Sequence, residues 1–342
     1  METKLLEHLD EPDSFEGQFT AIALEQFGYQ FENNLPYRRY CEFLGASPDH
    51  SESWRDIPAV PTDVFKHFPL ATFPTDRAVK TFLTSGTTQD VRGSHYFPTT
   101  AIYEKSIIAA WQHLKLPPPT RPFILCPHPD HAPSSSLSHM MGTMVKHFSV
   151  GDQDAIWMIS PDGKLNADAI LSLQRETLPL ALLGTALSFI HLFENLPSQL
   201  ALPEGSWAME TGGYKGSNKT LEKAELYSLF QDKLGISPAS IINEYSMTEL
   251  SSQFYTQGLD PPHYGPPWAR VRVINPRTGN DAPSGQIGHL AVYDLANLHS
   301  VMAIQTQDLA IAHTDGSFSL IGRDPTALPR GCSRAAEEQL TS

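Results

Sequence analysis

Thr81-Phe-Leu-Thr-Ser-Gly-Thr-Thr-Gln89 is the stretch from which the rest of this chain can be read. A β-branched, apolar run at 79–83 empties into Thr84, Ser85, Gly86, Thr87 and Thr88, with basic Arg92 close behind. A strand ending in small hydroxyl residues around a glycine leaves backbone N–H groups and hydroxyls able to wrap an anion, and phosphate is the usual one. The spacing is not that of the G-x-x-x-x-G-K-[ST] loop, so a kinase or GTPase does not follow. On turn composition alone, a polar surface turn is an equally good reading. Other segments have to decide.

The chain has 342 residues, enough for two packed subdomains or one large α/β domain with an appendage. Hydrophobic residues make up 40%, ample for a core, and 28 prolines imply many loops and short elements. A net charge of −14 argues against a nucleic-acid partner, because such binding runs on Lys and Arg neutralising phosphates. An anionic nucleotide would need local relief from Mg²⁺ and a few arginines. Cys41, Cys126 and Cys332 are sparse and odd in number, which points to a reducing compartment and a cytoplasmic protein. No apolar run is long enough to span a membrane, and the N-terminus lacks a signal peptide's apolar core.

From 79 to 250 the pattern alternates strand and helix. Strands are expected at 79–83, 123–126, 156–159, 180–183 and 241–244, with helices at 99–114, 186–196 and 218–234. In the last, Leu226, Leu229, Phe230 and Leu234 share a face, and Gly235 stands where a helix stops. This grammar predicts βαβ units and mostly parallel sheets flanked by helices. After Pro266-Pro267 the elements become short and β-rich, at 270–275, 288–293, 301–306, 309–313 and 318–321. That texture predicts a small antiparallel β-barrel subdomain. The expected division is an α/β body at 1–268, a β-rich subdomain at 269–325 completing a nucleotide site, and a tail at 326–342 carrying Cys332.

Three further segments bear chemistry. In Asn243-Glu-Tyr-Ser-Met-Thr-Glu249, an aromatic at a strand end can stack on a base, and a hydroxyl followed by a carboxylate can bind phosphate and its Mg²⁺. In Gln305-Thr-Gln-Asp308 the acid can accept both hydroxyls of a ribose. In Gly316-Ser-Phe-Ser-Leu-Ile-Gly-Arg-Asp324 a guanidinium follows a hairpin-like turn, within reach of ribose or phosphate. Each alone is ordinary surface sequence.

Together, in this order, they resemble the adenylate-forming superfamily of acyl-CoA synthetases, firefly-type luciferases and peptide-synthetase adenylation domains. Its motifs match Thr84–Thr88, Gly212-Gly213-Tyr214, Tyr245–Glu249, Thr306–Asp308 and Gly322–Asp324. The resemblance implies ATP and Mg²⁺. Ser85, Thr87 and Thr88 would hold the pyrophosphate, Gly213 and Tyr245 would flank adenine, Thr248 would touch the α-phosphate, Glu249 would hold Mg²⁺, and Asp308 with Arg323 would take the ribose. The chain departs from the pattern at Gln89 and at Gln307, where glycine is usual, and its Gly322-Arg323-Asp324 hinge is one residue short.

Members of that superfamily continue past the hinge into a mobile lobe bearing a lysine that aids adenylation, whereas this chain runs 18 residues beyond Asp324. Ile57-Pro-Ala-Val-Pro-Thr-Asp-Val-Phe-Lys66 and Leu328-Pro-Arg-Gly-Cys-Ser333 are similar to segments of the short, LuxE-type acyl-protein synthetases. That similarity implies transfer of the acyl group from AMP to Cys332, flanked by Arg330 and Arg334, for collection by a partner reductase, acyltransferase or carrier protein. The alternatives are a ligase charging coenzyme A or a carrier protein, and a non-catalytic nucleotide-binding relic.

Cys126-Pro-His-Pro-Asp-His131 gathers possible zinc ligands but lacks a second ligand pair. His139 can line an acyl pocket, although a structural histidine is the plainer reading. Lys66 and Lys215 stand beside matched motifs without an assigned role. Met140, Met141 and Met144, at helical spacing, read as core.

Overall fold

The computed structural model describes residues 1–84, 91–148, 155–196, 199–212 and 221–324. The strands in chain order are β1 (Val60–Pro61), β2 (Lys80–Leu83), β3 (Ser94–Phe97), β4 (Pro122–Pro127), β5 (Ile156–Ile159), β6 (Ala181–Thr185), β7 (Trp207–Thr211), β8 (Ile241–Tyr245), β9 (Phe254–Gln257), β10 (Ala269–Ile274), β11 (Gly288–Asp294), β12 (Ala303–Ala312) and β13 (Phe318–Arg323).

The chain folds into two compact units. One holds Met1–Leu114, Met247–Gln253 and the described residues from Pro262 onward; the other holds Lys115–Ser246 and Phe254–Pro261. This division differs from a cut near residue 268. The N-terminal helices share a unit with the C-terminal strands because Gln30, fully buried on helix Phe19–Asn33, donates to the Asn297 and Leu298 carbonyls at 2.7 and 3.1 Å and accepts from Met302 N at 3.0 Å.

The second unit is a six-stranded sheet in the order β5-β4-β6-β7-β8-β9, parallel throughout except that β9 returns antiparallel to β8. The central strands are apolar runs buried on both faces, as a helix-covered parallel sheet requires. Helices Ala167–Arg175, Ala186–Asn195 and Lys223–Leu234 cover it, with Phe189, Phe193 and Phe230 packed together. The last helix ends at Gly235, whose φ of 72° is the left-handed cap expected there. Met140, Met141 and Met144 are core, as their spacing predicts.

The first unit is built on a five-stranded sheet, β1-β12-β11-β10, with β13 also on β12. β1 is parallel to β12 and the other pairs are antiparallel. The expected closure into a barrel does not occur among the described strands. β1 and β13 occupy successive lengths of the same β12, and β10 pairs with β11 alone. The segments at 301–306 and 309–313 form one ten-residue strand. The run at 79–83 joins no parallel sheet; β2 pairs antiparallel with β3 as a two-stranded ribbon. Among the described residues no helix is long and apolar enough to cross a membrane.

Candidate active site

The β2–β3 ribbon presents the hydroxyl-rich segment. Its register, Leu83 opposite Ser94, closes a loop whose base is a reciprocal pair: Thr84 N donates to Gly93 O at 2.9 Å, and Gly93 N donates to Thr84 Oγ1 at 2.8 Å. Gly93 is needed there. A Cβ would lie 3.0 Å from Thr84 Cγ2 and 3.2 Å from Phe65 Cβ. Thr84 thus closes the loop with the hydroxyl expected to face an anion. Ser85, Gly86, Thr87 and Thr88 lie outside the described residues.

Thr248 and Glu249, both half-buried, sit in a segment pinned by its backbone. His95 Nδ1 is 2.8 Å from Thr248 O. A carbonyl can only accept, so Nδ1 carries the hydrogen. Burial lowers the His95 pKa to about 4, against the opposing pull of that bond, so the ring is neutral at physiological pH. Asn297 Nδ2 donates to Glu249 O at 2.8 Å. Two and three residues on, Ser251 N and Ser252 Oγ donate to the fully buried Asp294 at 2.8 and 2.6 Å, and Trp268 Nε1 donates to Ser252 Oγ at 2.9 Å. Burial raises the Asp294 pKa to about 6, despite these donors.

The third cluster lies on β12 and β13. Thr306 Oγ1 donates to Leu290 O at 2.8 Å and accepts from Asp308 N at 3.1 Å. Asp308 stands directly opposite Arg323 across the two strands. The residue between, Gln307, explains how the chain manages without the glycine usual there. No tight turn forms; Gln307 continues the strand and its amide bridges two elements, donating to Asp63 Oδ2 at 2.6 Å and accepting from Arg323 Nη2 at 2.5 Å. Asp63 also pairs with Lys66 Nζ at 2.9 Å. Asp324 is held by His289 Nε2 at 2.9 Å and by its own N–H on Gln307 O at 3.0 Å. Thr84, Thr248, Glu249, Asp308 and Arg323 all belong to the first unit.

Gly212, Tyr245 and His139 belong to the second unit. Gly212 and Tyr245 lie at the carboxyl ends of β7 and β8, the edge where open α/β sheets receive ligands. Tyr245 is buried at 8% exposure and tilts against Phe254, ring centroids 6.4 Å apart. At the same edge Glu210, 3% exposed, accepts from Asn243 Nδ2 at 2.6 Å and Tyr227 Oη at 3.2 Å. Burial pushes its pKa up to about 7, with Lys223, Asn243 and Tyr227 pulling the other way. Burial likewise raises Glu244 on the neighbouring strand. His139 is half-buried on helix Ser136–Phe148. Cys126 is buried beside Ser138, and burial raises its thiol to about 12; among the described residues no group of three or more His, Cys, Asp or Glu is placed to hold a metal. Gly213, Tyr214, Lys215 and Cys332 lie outside the described residues.

Sequence reasoning passed over His95, Asn297, Asp294, Gln307's bridging role and Glu210. Only Glu210 left a signal, a lone acid ending the apolar run Trp207–Thr211 just before Gly212.

No family model matches the chain. It is similar to two long-chain-fatty-acid–luciferin-component ligases. That of Vibrio harveyi is 22% identical over 341 residues, covering 92% of this chain and 86% of the relative. That of Aliivibrio fischeri is 22% identical over 340 residues, covering 91% and 86%. Among solved structures, 2-hydroxyisobutyryl-CoA ligase in its postadenylation state with 2-HIB-AMP superposes at a TM-score of 0.68 and 15% identity, covering 89% of this chain and 67% of that one. A second state of that ligase, open and with 2-HIB-AMP and CoA, gives 0.65 at 16% identity, covering 89% and 74%.

Proposed function

We propose that this chain, which has the fold of the adenylate-forming ligases and follows the LuxE type along most of its length, activates a carboxylic acid with ATP and hands the acyl group to a thiol. The observation that carries this reading lies within one unit. His95 joins the ribbon bearing the hydroxyl loop to the Thr248 carbonyl, and helix Thr62–Lys66 joins the same ribbon to Asp308's strand through Phe65 and Asp63. Three segments expected to serve one nucleotide are thereby tied to one another.

In the first step an oxygen of the substrate carboxylate attacks the α-phosphorus. The new O–P bond forms as the bond to the β-phosphate breaks, and pyrophosphate leaves with its charge. Thr248 would donate to an α-phosphate oxygen, Asp308 and Arg323 would hold the ribose, and Tyr245 would stack on adenine. Glu249 fits Mg²⁺, since a half-buried carboxylate is the hard oxygen ligand that this ion takes alongside phosphate oxygens and water. That ion would neutralise charge on the phosphates. In the second step a thiolate attacks the acyl carbonyl, the C–S bond forms, AMP leaves, and the thiol's proton passes to solvent. The most economical acceptor is Cys332, from which a partner reductase, acyltransferase or carrier protein would take the acyl group; coenzyme A or a carrier protein as direct acceptor is the second reading. The relatives' names point to a long-chain fatty acid. Cys41 and Cys126, both free and buried, suit the reducing cytoplasm.

The test is incubation with ATP, Mg²⁺ and a panel of acids, followed by pyrophosphate exchange and intact mass. A hydroxylamine-labile acyl adduct, lost in Cys332→Ala while exchange persists, is the expected result. Exchange without an adduct transfers the acceptor role to an external thiol. Neither signal with any acid defeats the enzyme reading.

A further inference from the structure

Lys66 is a cation at the end of a helix on which several of the first unit's contacts converge. It ends the one-turn helix Thr62–Lys66, and that helix touches two of the three segments assigned to the nucleotide. On one side is the base of the hydroxyl loop. A Cβ on Gly93 would meet Phe65 Cβ at 3.2 Å and the Phe65 carbonyl carbon at 3.3 Å, so the backbone one bond from Lys66 lies against the loop's closing pair. The Phe65 ring also meets His95 edge-on, centroids 5.8 Å apart, and His95 holds Thr248. On the other side is β12: β1, just before the helix, pairs with Ile304 and Gln305, and Asp63 Oδ2 accepts from Gln307, the neighbour of Asp308.

The ammonium itself is held in place. Asp63 spends both oxygens, Oδ2 on Gln307 at 2.6 Å and Oδ1 on Lys66 Nζ at 2.9 Å. The carboxylate is 13% exposed and the lysine 37%, so a mostly buried acid presents a cation that still meets solvent. A lysine offers three donors, and Asp63 takes one direction only. A compact positive charge on the helix packed against the Thr84–Gly93 pair is suited to phosphate oxygens.

We propose that Lys66 is a catalytic cation of the adenylation step, its ammonium contacting the ATP phosphates, with Asp63 and Gln307 as positioning residues that hold it and Arg323 on either end of one hydrogen-bonded chain. The proposal rests on the adenylation reading above. Its charge would offset the negative charge that grows on the phosphates as the carboxylate attacks, a role preorganised donors fill without rearrangement.

Two measurements on the full chain test it. The first needs no variant: the wild-type protein is treated with an amine-reactive acetylating reagent, with and without ATP and Mg²⁺, and Lys66 modification is read by peptide mass spectrometry. Protection of roughly tenfold or more by ATP, and little by adenosine, is expected for a contact to phosphate. The second compares Lys66→Ala and Lys66→Arg in pyrophosphate exchange with hexadecanoate and in acyl transfer from synthetic hexadecanoyl-AMP. Exchange should fall roughly 10²-fold in Lys66→Ala, recover in part in Lys66→Arg, and leave transfer from the preformed adenylate within about twofold. Equal labelling with and without ATP overturns the proposal, as does exchange in Lys66→Ala within twofold of an active wild type. A wild type inert with every acid, but with Lys66 protected by ATP, defeats the enzyme reading and leaves the contact standing.

Discussion

Replacing Glu210 with glutamine isolates one buried charge at the end of β7. The carboxylate is 3% exposed, and its pKa stands at about 7 against an ordinary 4.5. The native state therefore binds this proton more tightly than the unfolded chain does. Stability contributed by the group is whole below pH 4.5 and is lost as pH rises through 7. The gap corresponds to about 3 kcal/mol in all, most of which falls between pH 5 and pH 8. Glutamine keeps a carbonyl oxygen for Asn243 and Tyr227 and cannot ionise. Urea unfolding followed by tryptophan fluorescence, with Trp207 on the same strand as reporter, gives the stability of each protein across that range. The variant should gain on the wild type by roughly 2–3 kcal/mol between pH 5 and pH 8, chiefly because the wild type weakens. A difference that stays constant across this range, or a variant that loses ground as pH rises, would refute the reasoning and show that Lys223 keeps Glu210 ionised.

Removing the imidazole in His95→Ala leaves the Thr248 carbonyl without its donor, a loss of about 1–2 kcal/mol; kcat for pyrophosphate exchange should fall about tenfold, and His95→Gln, which retains an N–H, should recover part of it where a purely steric role would not. Gly93→Ala should lower stability by about 1–3 kcal/mol in thermal melts, since the new methyl meets Thr84 and Phe65 at 3.0–3.3 Å; an unchanged melt would show that the loop base yields. Burial raises both Cys41 and Cys126 to about 12, so in the native protein at pH 8 both should resist a disulfide reagent and react only on denaturation. Rapid titration of either would contradict the burial found here.

The parallel sheet of the second unit was legible because its strands are apolar runs or, in β8, start with two isoleucines: β4, β5, β6 and β8 fall within a residue or two of their expected bounds. β7 and β3 were not; each holds a buried polar side chain within a short run, whereas in β8 the buried Asn243 and Glu244 follow two isoleucines. Glu210 interrupts Trp207–Thr211 and His95 interrupts Ser94–Phe97, and only tertiary partners make those burials tolerable. The described strands leave the expected barrel open for a related reason. Local alternation announces strands but not which edges meet, and Val60–Pro61, too short to read as a strand, takes part of the edge of β12. Within the candidate site, residue types at motif spacing drew attention to Thr248, Glu249, Asp308 and Arg323. What fixes them was invisible. His95 acts on Thr248 across 153 positions and Gln307 on Asp63 across 244, and no spacing rule reaches that far.

The seven residues Met247–Gln253 leave the second unit between β8 and β9, belong to the first, and then return. A graft exchanging 115–261 for the corresponding span of a relative, in order to swap acid preference, would import Thr248 and Glu249 together with the sheet. It would cut them from His95, Asp294 and Asn297, which stay behind in the recipient. Chimaeras of this protein should therefore be spliced in two pieces, at 115–246 and 254–261, so that the native loop remains with the scaffold that grips it.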